Sequence, residues 1–289
     1  MPGVEVGPLL DALRGVRWPA RTRTRTASAG AHLSTLRGTT AEFTEYRAYR
    51  RGDDPRRIDW KLLARSDRAY LRITDERAVH PTVLVLDASA SMDFPDDATS
   101  KWEQGCRLAI GLASVALASG DPVGLLVAGV PSAGQPLRAR RDTLSALITA
   151  LGRVTPRGGA PLATLLTGAL RASRVVCITD CLDDRDGLVR ALAGLVARGV
   201  DVHLLHLVAT AELDPPTTAR LAEDPEDAAR RAPLVRATRA AYLAAFGAWR
   251  EETAQRIRQT GAAYRLVRTD ASAASTVRLV ASAPPAESR

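Results

Sequence analysis

Apolar runs and helix-like stretches alternate along most of this chain, from about residue 81 onward. Runs such as Thr82–Leu86 and Val175–Thr179 consist almost wholly of branched aliphatic residues, which is typical of strands buried on both faces of a parallel sheet. The stretch between them repeats apolar residues at helical spacing, for example at Trp102, Cys106 and Ala109. The alternation predicts an α/β fold with a doubly wound, mostly parallel sheet.

The same pattern predicts the remaining elements of this domain, to which we assign residues 81–283, followed by a tail at 284–289. Further strands are expected at Val123–Ala128, Leu137–Arg140, Val200–Val208 and Ala263–Val267, and helices around residues 144–151, 162–170, 188–196 and 242–257. Residues 209–235 are polar and contain proline, so they are interpreted as a long insertion between a strand and a helix.

The chain before residue 81 has a different texture. Residues 1–30 contain a short amphipathic helix at Val6–Leu13 and a basic run, Arg14–Arg25, which we interpret as a linker. Residues 31–80 are dense in charged and aromatic side chains. They predict a β-rich extension with one helical turn, which has too little apolar mass to fold alone.

Composition narrows the classes of function. The 289-residue chain has 25% charged residues and a net charge of +8, and its positive charge is mostly dispersed arginine, so nucleic-acid binding is disfavoured. The alternative that stays open is nucleic-acid binding through the Arg-rich segment Arg14–Arg25. The three cysteines form no CxxC pair. No stretch resembles a membrane span or a secretory signal, and we expect a cytoplasmic location.

Candidate chemistry lies where two of the predicted strands end in aspartate. The first strand continues as DASAS, which contains Asp87, Ser89 and Ser91, and a later strand, VVCITD, ends at Asp180. Ligands bind beyond the carboxyl ends of parallel strands. If the two strands are neighbours, carboxylate and hydroxyl oxygens converge there, and such oxygens suit Mg²⁺.

Two other interpretations of these residues stay open. Asp87 and Asp180 could instead form Asx turns that cap the following helices. They could also serve a metal-dependent hydrolase, although no general base is evident. The chain has no phosphate-binding loop, dinucleotide fingerprint or nucleophile elbow. His203 and His206 lie three apart on one predicted strand, so they point to opposite faces and cannot share a ligand.

The DASAS and ITD motifs resemble the metal-ion-dependent adhesion site of von Willebrand factor A domains. The resemblance implies Mg²⁺ held by Asp87, Ser89, Ser91 and Asp180, with a partner's acidic side chain completing the shell. The threonine of the second loop is missing, because Ala160 occupies its place. Mg²⁺ binding is therefore expected to be weak, and Ala160→Thr is expected to tighten it.

A second motif identifies the family more closely. The block GDDPRRIDW carries Gly52, Asp53, Asp54, Arg56, Arg57, Asp59 and Trp60. It closely resembles the signature of the bacterial family called domain of unknown function 58. The resemblance implies a von Willebrand factor A-like fold and a MoxR-type AAA+ ATPase as partner, with a role in protein assembly or maturation. Together the motifs predict a non-enzymatic protein-interaction module.

The residues of the block also predict local structure. Gly52 permits a turn, and Asp53 or Asp54 can cap a short helix opened by Pro55. Arg56, Arg57 and Asp59 can form local ion pairs, and Trp60 offers an apolar face. If its ring is buried as part of a structural clamp, Trp60→Ala is expected to cost roughly 3–5 kcal/mol.

Overall fold

A computed structural model describes residues 6–19, 43–50, 52–74, 79–96, 98–159, 162–169, 172–216, 221–223, 231–233 and 236–282. Its internal contacts divide the chain into two compact units, with boundaries between Arg21 and Thr22 and between Val79 and His80. The larger unit combines the N-terminal helix with everything after Val79.

The larger unit is built on a six-stranded sheet. Its strands are β3 (Thr82–Leu86), β4 (Val123–Val127), β5 (Gln135–Arg138), β6 (Arg174–Thr179), β7 (Asp201–Val208) and β10 (Ala263–Arg268), in the order β10-β7-β6-β3-β4-β5. All pairs are parallel except β4 with β5. The predicted α/β class with a mostly parallel sheet is confirmed.

Helices cover both faces of this sheet. They are α1 (Val6–Ala12), α3 (Lys101–Ala118), α4 (Thr143–Leu151), α5 (Leu162–Gly168), α6 (Arg185–Ala197), α7 (Thr210–Leu213), α8 (Arg236–Gln259) and α9 (Ala273–Ser282). One apolar core lies between the sheet and a layer made of α1, α3, α4 and α9. The second core lies on the opposite face, under α5, α6 and α8. The fold is therefore doubly wound, as predicted.

The first residues of the chain belong to the core of the larger unit. Leu9 and Leu13 are buried, and α1 packs against α3 and α9. Trp18 is buried at the amino edge of the sheet, where the Arg174 guanidinium lies 4.1 Å from its ring centroid. Arg174 also donates to the Pro19 carbonyl at 3.3 Å. This segment is thus tied to the start of β6 by cation–π and hydrogen-bond contacts.

The smaller unit contains the family signature. Strands β1 (Phe43–Ala48) and β2 (Tyr70–Thr74) pair in antiparallel fashion and flank the helix α2 (Trp60–Ser66). Gly52 has a φ of +108°, a conformation that glycine adopts readily. Asp67 caps the carboxyl end of α2 and adopts a left-handed conformation.

Aspartates of the signature organise the chain between β1 and α2. Asp53 accepts hydrogen bonds from the Arg47 side chain and the Arg50 backbone, each at 2.8 Å. Asp54 caps a short 3₁₀ helix at Pro55–Arg57, as the sequence predicts. Asp59 caps α2 and accepts a hydrogen bond from the Tyr46 hydroxyl at 3.0 Å. The expected local order is therefore produced mainly by capping.

The structure differs from the expected elements in three places. The edge strand predicted at Leu137–Arg140 runs from Gln135 to Arg138 and forms only two register pairs with β4. The insertion contains α7 and a small hairpin of β8 (Leu221–Glu223) and β9 (Arg231–Pro233). The final helix, α9, was not predicted, since its alanine- and serine-rich sequence has few large apolar residues.

Candidate functional site

The loops that follow β3, β6 and β7 meet at the carboxyl edge of the sheet, together with the loop between α4 and α5. Strands β3 and β6 are neighbours, with Leu86 paired to Ile178. The next residue of β3, Asp87, donates its backbone N–H to the Ile178 carbonyl at 3.0 Å. The side chains of Asp87 and Asp180 therefore emerge side by side, and Ser89 and Ser91 lie in the same buried loop.

Asp87 lies in a closed network of hydrogen bonds. Its Oδ1 accepts the Ser89 backbone N–H at 2.9 Å, and its Oδ2 accepts the Thr179 hydroxyl at 2.6 Å. The Ser89 and Ser91 hydroxyls are 3.1 Å apart. Burial, together with the nearby Asp180 charge, raises the pKa of Asp87 to about 6 even though the Thr179 and Ser89 bonds lower it.

A second loop packs directly against the first. The Arg157 backbone N–H donates to the Ala88 carbonyl, and the Ala90 N–H donates to the Gly158 carbonyl, both at 2.9 Å. These bonds bring residues 157–158 beside the DASAS motif. Ala160, the residue expected to weaken metal binding, lies outside the described residues.

A buried lysine occupies the side of the site formed by Asp180. The Lys101 Nζ lies 2.6 Å from the Asp180 Oδ2 and 3.0 Å from the Glu212 Oε1. The lysine side chain is only 1% exposed and that of Asp180 only 3%. Although burial lowers the pKa of Lys101, the Asp180 and Glu212 carboxylates outweigh it and raise that pKa above its usual value.

The partners of this lysine are held in place by backbone groups. The Asp180 Oδ1 accepts the Leu182 N–H at 3.2 Å, which closes an Asx turn. The Glu212 Oε2 accepts the Ala209 N–H at 2.7 Å, which fixes the side chain at the start of α7. The Asp–Lys–Glu group thus joins the loops that follow β3, β6 and β7.

Sequence reasoning did not single out Lys101, Glu212 or Thr179. One signal for Lys101 was present, because a cation at the first position of a helix is unfavourable unless an acid compensates it. The chain has only two lysines among its 40 basic residues, and this is one of them. Its acidic partners lie 79 and 111 residues away, so only the fold brings them together.

The donor set fits a divalent cation poorly. All four carboxylate oxygens of Asp87 and Asp180 already accept a hydrogen bond from the chain. A buried ammonium adjoins Asp180, and a metal ion there would be repelled by it. Within the described residues, no group of three or more histidine, cysteine, aspartate or glutamate side chains is arranged to hold a metal ion.

The rim of the edge combines acidic and apolar side chains. In the first loop Asp93, Asp96 and Phe94 are exposed. In the loop after β6, Leu182 is 47% exposed and lies next to Asp183. Acidic groups around two exposed apolar side chains form a surface suited to a partner with complementary apolar and basic groups.

Most other candidate residues lie apart from this edge, but His206 pairs with Thr179 of β6, the residue before Asp180. His203 contacts Trp18 and His206 contacts Trp249, each edge-to-face, on opposite faces of the sheet. Arg14, at the start of the basic run, pairs with Asp11 at 2.9 Å, and residues 20–25 of that run lie outside the described residues. Trp60, expected to be buried, is 62% exposed. The condition for its large predicted stability effect is therefore not met.

Comparisons with known proteins bear on the family. Residues 45–252 match a family model described as protein of unknown function DUF58. Uncharacterized proteins of Mycobacterium tuberculosis and Mycobacterium bovis are 28% identical over 285 residues, which cover 95% of this chain and 89% of each relative. The family match includes both the signature block and the DASAS and ITD motifs.

Solved structures with related architecture were also found. A conserved hypothetical protein, BatB, from Bacteroides thetaiotaomicron gives a TM-score of 0.48 at 22% identity, covering 69% of this chain and 94% of that one. A von Willebrand factor type A protein from Catenulispora acidiphila gives a TM-score of 0.42 at 15% identity, covering 71% of this chain and 42% of that one.

Among the described residues, no helix is both long and apolar enough to cross a membrane.

Proposed function

Because this chain belongs to the DUF58 family, a membership that its signature block predicts, we propose that it is a non-enzymatic protein-interaction module. Its partner-binding surface is the carboxyl edge of the sheet, around a degenerate metal-ion-dependent adhesion site. The partner that the family resemblance suggests is a MoxR-type AAA+ ATPase, with a role in protein assembly or maturation.

The observation that carries this proposal is the construction of the edge. The polar centre is closed by internal hydrogen bonds and an ion pair, so Asp87 and Asp180 present no free nucleophile or base to a substrate. The exposed groups around it are apolar and acidic, namely Phe94 and Leu182 with Asp93, and Asp183 beside Leu182 is half-buried. Such a rim supports binding of a protein rather than chemistry on a small molecule.

The direct test measures binding to a MoxR-type AAA+ ATPase. Leu182→Asp and Asp183→Lys alter the rim without touching the buried network, and each is expected to weaken binding by about tenfold or more. Leu279→Asp is a matched control, since Leu279 is 52% exposed and belongs to α9. Unchanged binding in both rim variants, or an equal loss in the control, would place the interface elsewhere.

Charge reversal at Asp180 is a less suitable test. Its side chain is buried against Lys101, so Asp180→Lys would place two ammonium groups together and disturb the fold. A parallel assay with generic phosphate esters addresses the hydrolase alternative. Turnover that Asp87→Asn abolishes would contradict the non-enzymatic proposal.

A further inference from the structure

We infer that the Lys101 ammonium takes the electrostatic place of a divalent cation at this edge, so that the site is assembled without metal. The inference concerns the same residues as the proposed function but does not depend on any partner. Its test measures metal binding and stability, and therefore it can fail while the proposed function stands.

The Lys101 ammonium lies between two carboxylates, where a bound cation would also lie. The Lys101 Nζ bridges Asp180 and Glu212, at 2.6 Å and 3.0 Å, in a site where all three side chains are largely buried. Buried carboxylates are strongly unfavourable unless a cation compensates them. Here the chain itself supplies that cation, and it comes from the helix that directly follows the DASAS loop.

The buried cation is a lysine in a chain whose basic residues are almost all arginine. Arginine accounts for all but two of the 40 basic residues, yet the buried position holds lysine. An ammonium is a compact point charge with donors in three directions, whereas a guanidinium is planar and larger. A small, roughly spherical cation that binds separate oxygens is what a divalent ion would otherwise provide. The choice of lysine therefore matches the role of a metal substitute.

The Lys101 ammonium also joins loops that follow three different strands of the sheet. Lys101 belongs to the connection after β3, Asp180 to that after β6, and Glu212 to that after β7. A metal held by Asp87, Ser89, Ser91 and Asp180 would bind two of these loops together, those after β3 and β6. The ammonium thus supplies the cross-link, and Mg²⁺ placed beside it would gain little and meet a like charge.

The experiment compares the full-length chain with Lys101→Met and with Lys61→Met, which alters the only other lysine, an exposed one. Wild type and Lys61→Met are expected to show no saturable heat of Mg²⁺ binding at millimolar concentration. Their melting temperatures should be equal in EDTA and in MgCl₂. Lys101→Met is expected to melt at a lower temperature in EDTA and to regain part of that loss in MgCl₂.

Two results would overturn the inference. One is saturable Mg²⁺ binding by the wild type with a matching rise in melting temperature. The other is a Lys101→Met variant whose stability does not respond to Mg²⁺. If that variant is unfolded in EDTA, recovery of helical circular dichroism on adding MgCl₂ supports the inference and no recovery contradicts it. Lys101→Met combined with Asp180→Asn and Glu212→Gln, which removes all three charges, should fold and ignore Mg²⁺.

Discussion

At the scale of single residues, two tryptophans illustrate how burial separates structural from surface roles. Trp18 is 2% exposed and lies under the Arg174 guanidinium, with its backbone N–H bonded to the Ser119 hydroxyl at 2.9 Å. Trp60, in the family signature, is mostly exposed. The exposed ring is therefore available for contacts that the isolated chain does not make.

Substituting each tryptophan by alanine should give opposite results in urea unfolding. Trp18→Ala is expected to lower the free energy of unfolding by roughly 3–5 kcal/mol, because it leaves a cavity and removes the cation–π contact. Trp60→Ala is expected to change it by no more than about 0.5 kcal/mol, as for most surface substitutions. Comparable losses in the two variants would mean that Trp60 is buried in solution.

The candidate site shows which residues sequence patterns can reveal. Asp87 and Asp180 could be placed together because each ends an apolar strand, and parallel strands end at a shared edge. Lys101 and Glu212 could not, since neither belongs to a local motif and their contacts span 79 and 111 residues. Exposure of Trp60 was also beyond reach, because aromatic residues in a motif are equally compatible with a core.

At the scale of elements, the buried parallel strands were the most predictable part of the fold. Strands β3, β4, β6, β7 and β10 lie within one or two residues of their apolar runs. The edge strand β5 and the helix α9 were less predictable, because β5 has only four residues and α9 buries only two branched aliphatic side chains, Val277 and Val280. Helix α3 was clear in its pattern, but its close packing against two other helices depends on tertiary structure.

Two glycines, one in α3 and one in α6, differ in how much space surrounds them. A Cβ at Gly111 would lie 2.9 Å from the Val277 Cγ2 of α9 and 3.1 Å from the Leu13 Cδ1, whereas a Cβ at Gly194 of α6 would meet nothing within 4 Å. Gly111→Leu should therefore lower the free energy of unfolding by about 1–3 kcal/mol, because the larger side chain overpacks this contact. Gly194→Ala should raise the free energy of unfolding by about 0.5–1 kcal/mol, because alanine favours a helix more than glycine does.

Thermal or urea unfolding of the two glycine variants measures both effects. A Gly111→Leu variant as stable as the wild type would show that α1 and α9 do not pack on α3 as described. A loss of stability in Gly194→Ala would indicate that the exposed face of α6 is covered in solution.

At the scale of the whole molecule, stability against pH should reflect two buried groups that act in opposite directions. The pKa of Asp87 is raised from 3.8 to about 6, so its contribution is full below pH 3.8 and is lost as the pH rises through about 6. Burial lowers the pKa of His206 from 6.5 to about 4, so its contribution is full above pH 6.5 and is lost as the pH falls through about 4.

Between pH 6.5 and 4 the two effects partly cancel in the wild type. Asp87→Asn should lose more stability than the wild type on acidification, and His206→Gln should lose less, each by up to about 3 kcal/mol across the range. Urea unfolding in EDTA at several pH values separates them. Parallel pH profiles in all three proteins would contradict the assigned shifts.

The position of α1 has a consequence for how the protein is synthesised. This helix leaves the ribosome before the other described elements, yet its apolar side packs against α3 and against α9, the last helix described. The Arg278 side chain of α9 donates a hydrogen bond to the Ala12 carbonyl at the end of α1. The nascent chain must therefore carry Leu9 and Leu13 without part of their final cover until residues 273–282 have been translated. Translation that stops after β10 would yield a chain with every strand of the large sheet and an N-terminal helix whose apolar side is covered by α3 but not by α9.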